Sequence, residues 1–73
     1  MDVMTSLLWK LRRVAADIRQ TDVAASAGIS TTRYSAIERG EQEPTKLEVQ
    51  LIERFLPPLP AVVMGRLATG ATT

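Results

Sequence analysis

The chain has neither cysteine nor histidine. That excludes disulfide staples and the usual soft-metal sites, and a zinc-supported fold goes with them. The same gap argues against catalysis. No triad can be assembled, no glycine loop cradles a phosphate, and the carboxylates Glu41 and Glu43 fall in a loop with no pocket to serve. A non-enzyme without metal or cofactor is expected. No apolar run approaches the roughly 18–20 residues of a membrane span, so no membrane partner is expected. No basic segment leads into an apolar core with a cleavage site, which points to a soluble cytoplasmic protein. Charge of one sign is also scarce: nine basic against eight acidic residues give a net +1. Affinity for phosphate must then come from where the basic residues sit, not from their excess.

What is present is a 73-residue chain, 45% hydrophobic and 23% charged, enough for one small globular domain. A chain of this size buries only about 60% of its unfolded surface, so tight helix packing or oligomerisation has to replace the missing staples. Residues 1–5 read as a lead-in, with Thr5 or Ser6 as a helix N-cap. Helix 1 is expected over residues 7–16, where Lys10, Arg12 and Arg13 interrupt a wide apolar stripe, and Asp17 closes it by tolerating the left-handed conformation.

Helix 2 follows over residues 20–27, with Val23, Ala24 and Ala27 on one face and Gly28 at its C-terminus. Ser30 caps helix 3, residues 31–39, which points Tyr34 and Ile37 inward, the Tyr34 hydroxyl reaching the surface, and ends at Gly40. Thr45 and Glu48 make a capping box for helix 4, which runs to Leu56. The run Pro57-Pro58-Leu59-Pro60 forces a turn. A fifth helix over residues 60–68 and a disordered tail, 69–73, complete the reading. No strand signal and no repeat survives. The fold class is all-α, with five helices in one domain over residues 6–68.

The ordered series Gln20, Val23-Ala24, Gly28-Ile29-Ser30, Ile37-Glu38-Arg39-Gly40 and Pro44 resembles the helix-turn-helix family of phage repressors, Cro proteins and xenobiotic-response-element regulators. The resemblance covers about residues 9–56 and implies a phage-repressor-like DNA-binding domain, helices 2 and 3 forming the motif. Ala24 must be small where helix 3 crosses helix 2, and Gly28 supplies the positive φ of the turn. The family pattern implies a buried structural pair of Arg13 with Glu38, Arg12 being the fallback. Breaking such a pair typically costs about 3–5 kcal/mol.

The resemblance also assigns the DNA face. Gln20, Thr31, Thr32, Arg33 and Ala36 are expected at base edges, where Thr packs its methyl on thymine and Arg33 forks onto guanine. Arg19, Ser35 and Arg39 are expected at phosphates, helped by the amides at the start of helix 2. The pattern departs from the family in three places. Arg19 replaces the usual Ser or Thr cap, the loop Glu41-Gln42-Glu43 is acidic, and helix 3 lacks the Gln or Asn that reads adenine. Discrimination per half-site is then modest, and a two-fold dimer on a palindromic operator is expected.

The dimer surface is expected to comprise Leu51, Phe55, Leu59, Val62, Val63 and Leu67, unless helix 5 folds back to finish the core. The resulting reading is a sequence-specific regulator of double-stranded DNA, a repressor or autoregulator, with no effector domain attached. The alternative is a protein-interaction module with its DNA face unused, binding a protein partner through helices 4 and 5.

Overall fold

In the computed structural model of the chain the described residues are 2–62. They contain four helices and no strand: α1 (Val3–Ala15), α2 (Gln20–Ala27), α3 (Thr31–Glu38) and α4 (Lys46–Phe55). Ala61 and Val62 are helical as well. The rest of the expected fifth helix, and the expected tail at 69–73, lie outside the described residues.

The helix starts follow side-chain capping. α1 begins at Val3, not at residue 7, because Asp2 is its cap and Asp2 Oδ1 accepts the Thr5 N–H at 2.8 Å. The lead-in of residues 1–5 is corrected accordingly, and neither Thr5 nor Ser6 is the cap. Ser6 is buried, with its hydroxyl donating to the Ile37 carbonyl at 3.4 Å. Arg19 cannot accept a hydrogen bond from the start of α2. Asp22 compensates from inside the helix, accepting the Arg19 backbone N–H at 3.4 Å. Ser30 Oγ caps α3 by accepting the Arg33 N–H at 3.0 Å. Thr45 and Glu48 form a full capping box at α4, each accepting the other's backbone N–H, at 3.1 and 2.8 Å.

The first three helices end in the same way. Each has a left-handed residue after its last turn, Asp17 (φ 56°), Gly28 (φ 68°) and Gly40 (φ 78°). Around each, two backbone bonds close the terminus: Ile18 to Arg13 and Asp17 to Val14, Ile29 to Ala24 and Gly28 to Ala25, Glu41 to Ala36 and Gly40 to Ile37. This is the Schellman arrangement, which satisfies otherwise orphaned carbonyls and tucks an apolar residue under the helix. Ile18 and Ile29 are those residues in the first two cases, and both pack against the core.

α2 packs on α3 and α4, and α1 lies against α3. Between them sits one core of Trp9, Val23, Ala24, Ala27, Tyr34, Ile37, Ile52 and Leu56. Tyr34 is wholly inaccessible, so its hydroxyl does not reach the surface as expected. Arg12 is committed elsewhere than to Glu38. It donates to Glu53 Oε1 (2.6 Å) and to the carbonyls of Leu56 (2.6 Å) and Pro57 (3.0 Å), the acceptor-rich C-terminal end of α4. Glu53 also accepts the indole N–H of the buried Trp9 at 2.6 Å. Among the described residues no helix is long and apolar enough to cross a membrane.

Candidate nucleic-acid interface

Three helices meet at one buried carboxylate. Arg13 of α1 forks onto Glu38 of α3, Nε to Oε2 and Nη2 to Oε1, both at 2.9 Å. Its remaining nitrogen, Nη1, donates to the Ile18 carbonyl in the α1–α2 connection at 3.0 Å. Gln20, the first residue of α2, donates its amide N–H to Glu38 Oε1 at 3.1 Å. Burial pushes the Glu38 carboxyl up, but the hydrogen bonds from Arg13 and Gln20 outweigh it and hold the group below its ordinary value. The Tyr34 hydroxyl lies close to Glu38 without a hydrogen bond of its own, and its burial drives its pKa well upward. The cluster fixes the start of α2 and the end of α3 relative to each other, and Gln20 stands at its outer edge.

Outside this cluster lie the first turns of α3. Thr31 and Thr32 are exposed side by side. Two residues expected beside them are placed differently. Ala36 is only 6% exposed and so offers almost no surface to a base edge. Arg33 does not extend into solvent; its guanidinium turns toward α4 and forks onto Glu48 at 3.2 and 2.7 Å. The fork holds the Glu48 carboxyl below the usual range. Ser35 and Arg39 sit together further along α3, the guanidinium donating to Ser35 Oγ at 2.6 Å and to both oxygens of Glu41 at 3.0 Å. Arg19, at the start of α2, pairs with Asp22 at 3.3 Å.

The three arginines on this face are thus each paired with a carboxylate, but not equally. Arg39 and Glu41 leave 54% and 60% of their side chains exposed and Arg19 leaves 81%, a setting in which ion pairs are weak and easily exchanged. Arg33 and Glu48 are far more enclosed, at 32% and 13%. A fourth cation, not expected there, stands beside them. Lys10 lines an open groove of about 470 Å³ together with Gln20, Ser35 and Arg39. Its signal was available: Lys10 precedes Arg13 by three residues, one helical turn on the same face of α1.

Exposed apolar side chains lie both on α1 (Val3, Met4, Leu7 and Val14) and on α4 and the residues after it. Leu47 (63% exposed), Phe55 (41%) and Val62 (66%) face outward. Leu51, expected at a dimer surface, is partly buried and packs against the core of its own chain. Leu59 is half-buried, and Val63 and Leu67 lie outside the described residues.

Residues 10–61 match the family described as helix-turn-helix. No curated protein and no solved structure matches the chain.

Proposed function

The chain belongs to the helix-turn-helix family of phage repressors, Cro proteins and xenobiotic-response-element regulators, which are DNA-binding transcriptional regulators and not enzymes, and from that premise we propose that it is an operator-reading repressor or autoregulator. α3 enters the major groove of double-stranded DNA, with Thr31 and Thr32 at base edges. A Thr hydroxyl donates or accepts there, and its methyl packs on a thymine methyl. Gln20 spends one N–H on Glu38. It keeps a second N–H and its oxygen for a phosphate and a neighbouring base. Arg19, Ser35, Arg39 and Lys10 take phosphates, which position the protein without reading sequence.

The observation that carries this reading is the pairing of an exposed first turn of α3 with a rigid mount. Thr31 and Thr32 are held by Ser30 capping on one side and by the Arg13–Glu38–Gln20 cluster on the other. The protein acts as a two-fold dimer joined through Phe55, Leu59 and Val62. A palindromic operator matches that symmetry.

A second reading is a protein-interaction module that uses α4 and the residues after it. The exposed Phe55 and Val62 favour it, as do the self-paired arginines. Selection from a randomised duplex library, followed by fluorescence anisotropy at two salt concentrations, separates the two. Enrichment of a palindromic site, with affinity that falls as salt rises and preference lost in Thr31→Ala/Thr32→Ala, supports the operator reader. No enrichment by a protein shown to be folded and dimeric would transfer the function to a protein partner.

A further inference from the structure

α3 carries one long cation on its first turns, and the fold immobilises it. Arg33 Nε and Nη2 fork onto Glu48 at 3.2 and 2.7 Å. Nη1 donates to Gln42 Oε1 at 2.6 Å, and Nη2 also reaches the Glu43 carbonyl at 3.3 Å. All three nitrogens are therefore engaged, by acceptors from both the α3–α4 loop and α4.

Glu48 is a fixed acceptor. It is the third residue of α4, and its Oε1 accepts the Thr45 N–H at 2.8 Å. Its position is set by how α4 begins, with or without Arg33. To read a guanine, Arg33 would have to leave a charge-assisted carboxylate fork for a neutral base edge, and the carboxylate is the stronger acceptor. Arg39 and Arg19 face no such barrier, because their partners are exposed and a phosphate is itself an anion.

We infer that Glu48 determines sequence specificity by withholding Arg33 from the bases, so that α3 discriminates through Thr31 and Thr32 and makes no guanine fork. Arg33 is then a positioning residue, tying the reading helix to the start of α4. The inference rests on α3 being the DNA-reading helix. It predicts an operator whose contacted half-site favours thymine methyls over guanine.

Glu48→Gln is the informative variant, since Gln also serves at this position of a capping box while the charge that holds Arg33 is removed. Selection from the same randomised duplex library is run on wild type, Arg33→Ala, Glu48→Gln and the double variant. Arg33→Met, which keeps an apolar stem, accompanies Arg33→Ala in case the latter fails to fold. Wild type and the Arg33 variants are expected to enrich the same site, with Kd values within about twofold. Glu48→Gln is expected to gain a guanine preference of roughly 5- to 150-fold at one position per half-site, and Arg33→Ala in that background to abolish the gain. Loss of a guanine preference in Arg33→Ala or Arg33→Met alone would overturn the inference, as would an unchanged preference in Glu48→Gln. Failure of the underlying reading looks different: wild type and Thr31→Ala/Thr32→Ala would then bind every duplex alike, and the inference would fall with it.

Discussion

Glu38→Gln removes one charge from the carboxylate that joins α1, α2 and α3, and leaves the Arg13 guanidinium facing a neutral amide. Glu38 is 8% exposed, and the Arg13 side chain retains 15% exposure. Breaking a fully buried pair costs about 3–5 kcal/mol. Water reaches Arg13 in part, so a loss of about 2–4 kcal/mol is expected. A domain of this size holds about 4–11 kcal/mol in total, so the variant gives up a large fraction of it. At about 4–8 °C per kcal/mol, the melting temperature falls by roughly 8–32 °C, read by far-ultraviolet circular dichroism at neutral pH. Arg13→Met alone should cost a comparable amount, whereas Arg13→Met/Glu38→Gln should recover much of the loss. That recovery appears in a double-mutant cycle as a coupling of about 1 kcal/mol or more. A shift below about 4 °C for Glu38→Gln, or two additive losses, would refute the claim that this pair organises the fold.

The same carboxylate sets an acid limit. Its pKa lies below the ordinary value of 4.5 in the folded state, so the unfolded chain binds the proton more tightly. The pair's contribution is present above about pH 4.5 and is lost as pH falls through the depressed value; because Glu48 and Glu53 are also held low, melts of Arg13→Met/Glu38→Leu should still lose stability in acid, but less than wild type. Gly28→Ala meets no atom within 4 Å of the new Cβ, so only the strain at φ 68° counts, about 1–2 kcal/mol in denaturant melts. Gly28→Asn should lose less. Trp9 is the chain's one tryptophan and fully buried, so emission is blue-shifted when folded. Glu53→Ala, which strips its indole of an acceptor, should lower stability by about 1–2 kcal/mol by the same fluorescence. Arg39→Ala should weaken binding to all duplexes alike and lower the salt slope by about 0.9.

Legibility in the sequence followed the range of the interaction. Ser30, Thr45, Gly28 and Gly40 act on backbone within a turn or two of themselves, and their helix boundaries could be read from residue type alone. The start of α1 was missed because Val3 and Met4 are 81% and 62% exposed; the helix there rests on the Asp2 cap and leaves no buried stripe to detect. Ala36 and Tyr34 depend on how closely neighbouring helices enclose α3, which spacing does not report. Arg33 finds Glu48 across fifteen residues, through the path of the α3–α4 loop, and nothing local to α3 marks that destination.

A nuclear magnetic resonance titration of the isotope-labelled protein with the duplex enriched by selection tests the central claim most directly. The account predicts shift changes concentrated at Gln20, Thr31, Thr32, Ser35 and Arg39, with Arg33 little moved. Changes confined to α4 around Leu47 and Phe55, or none at saturating duplex, would contradict it.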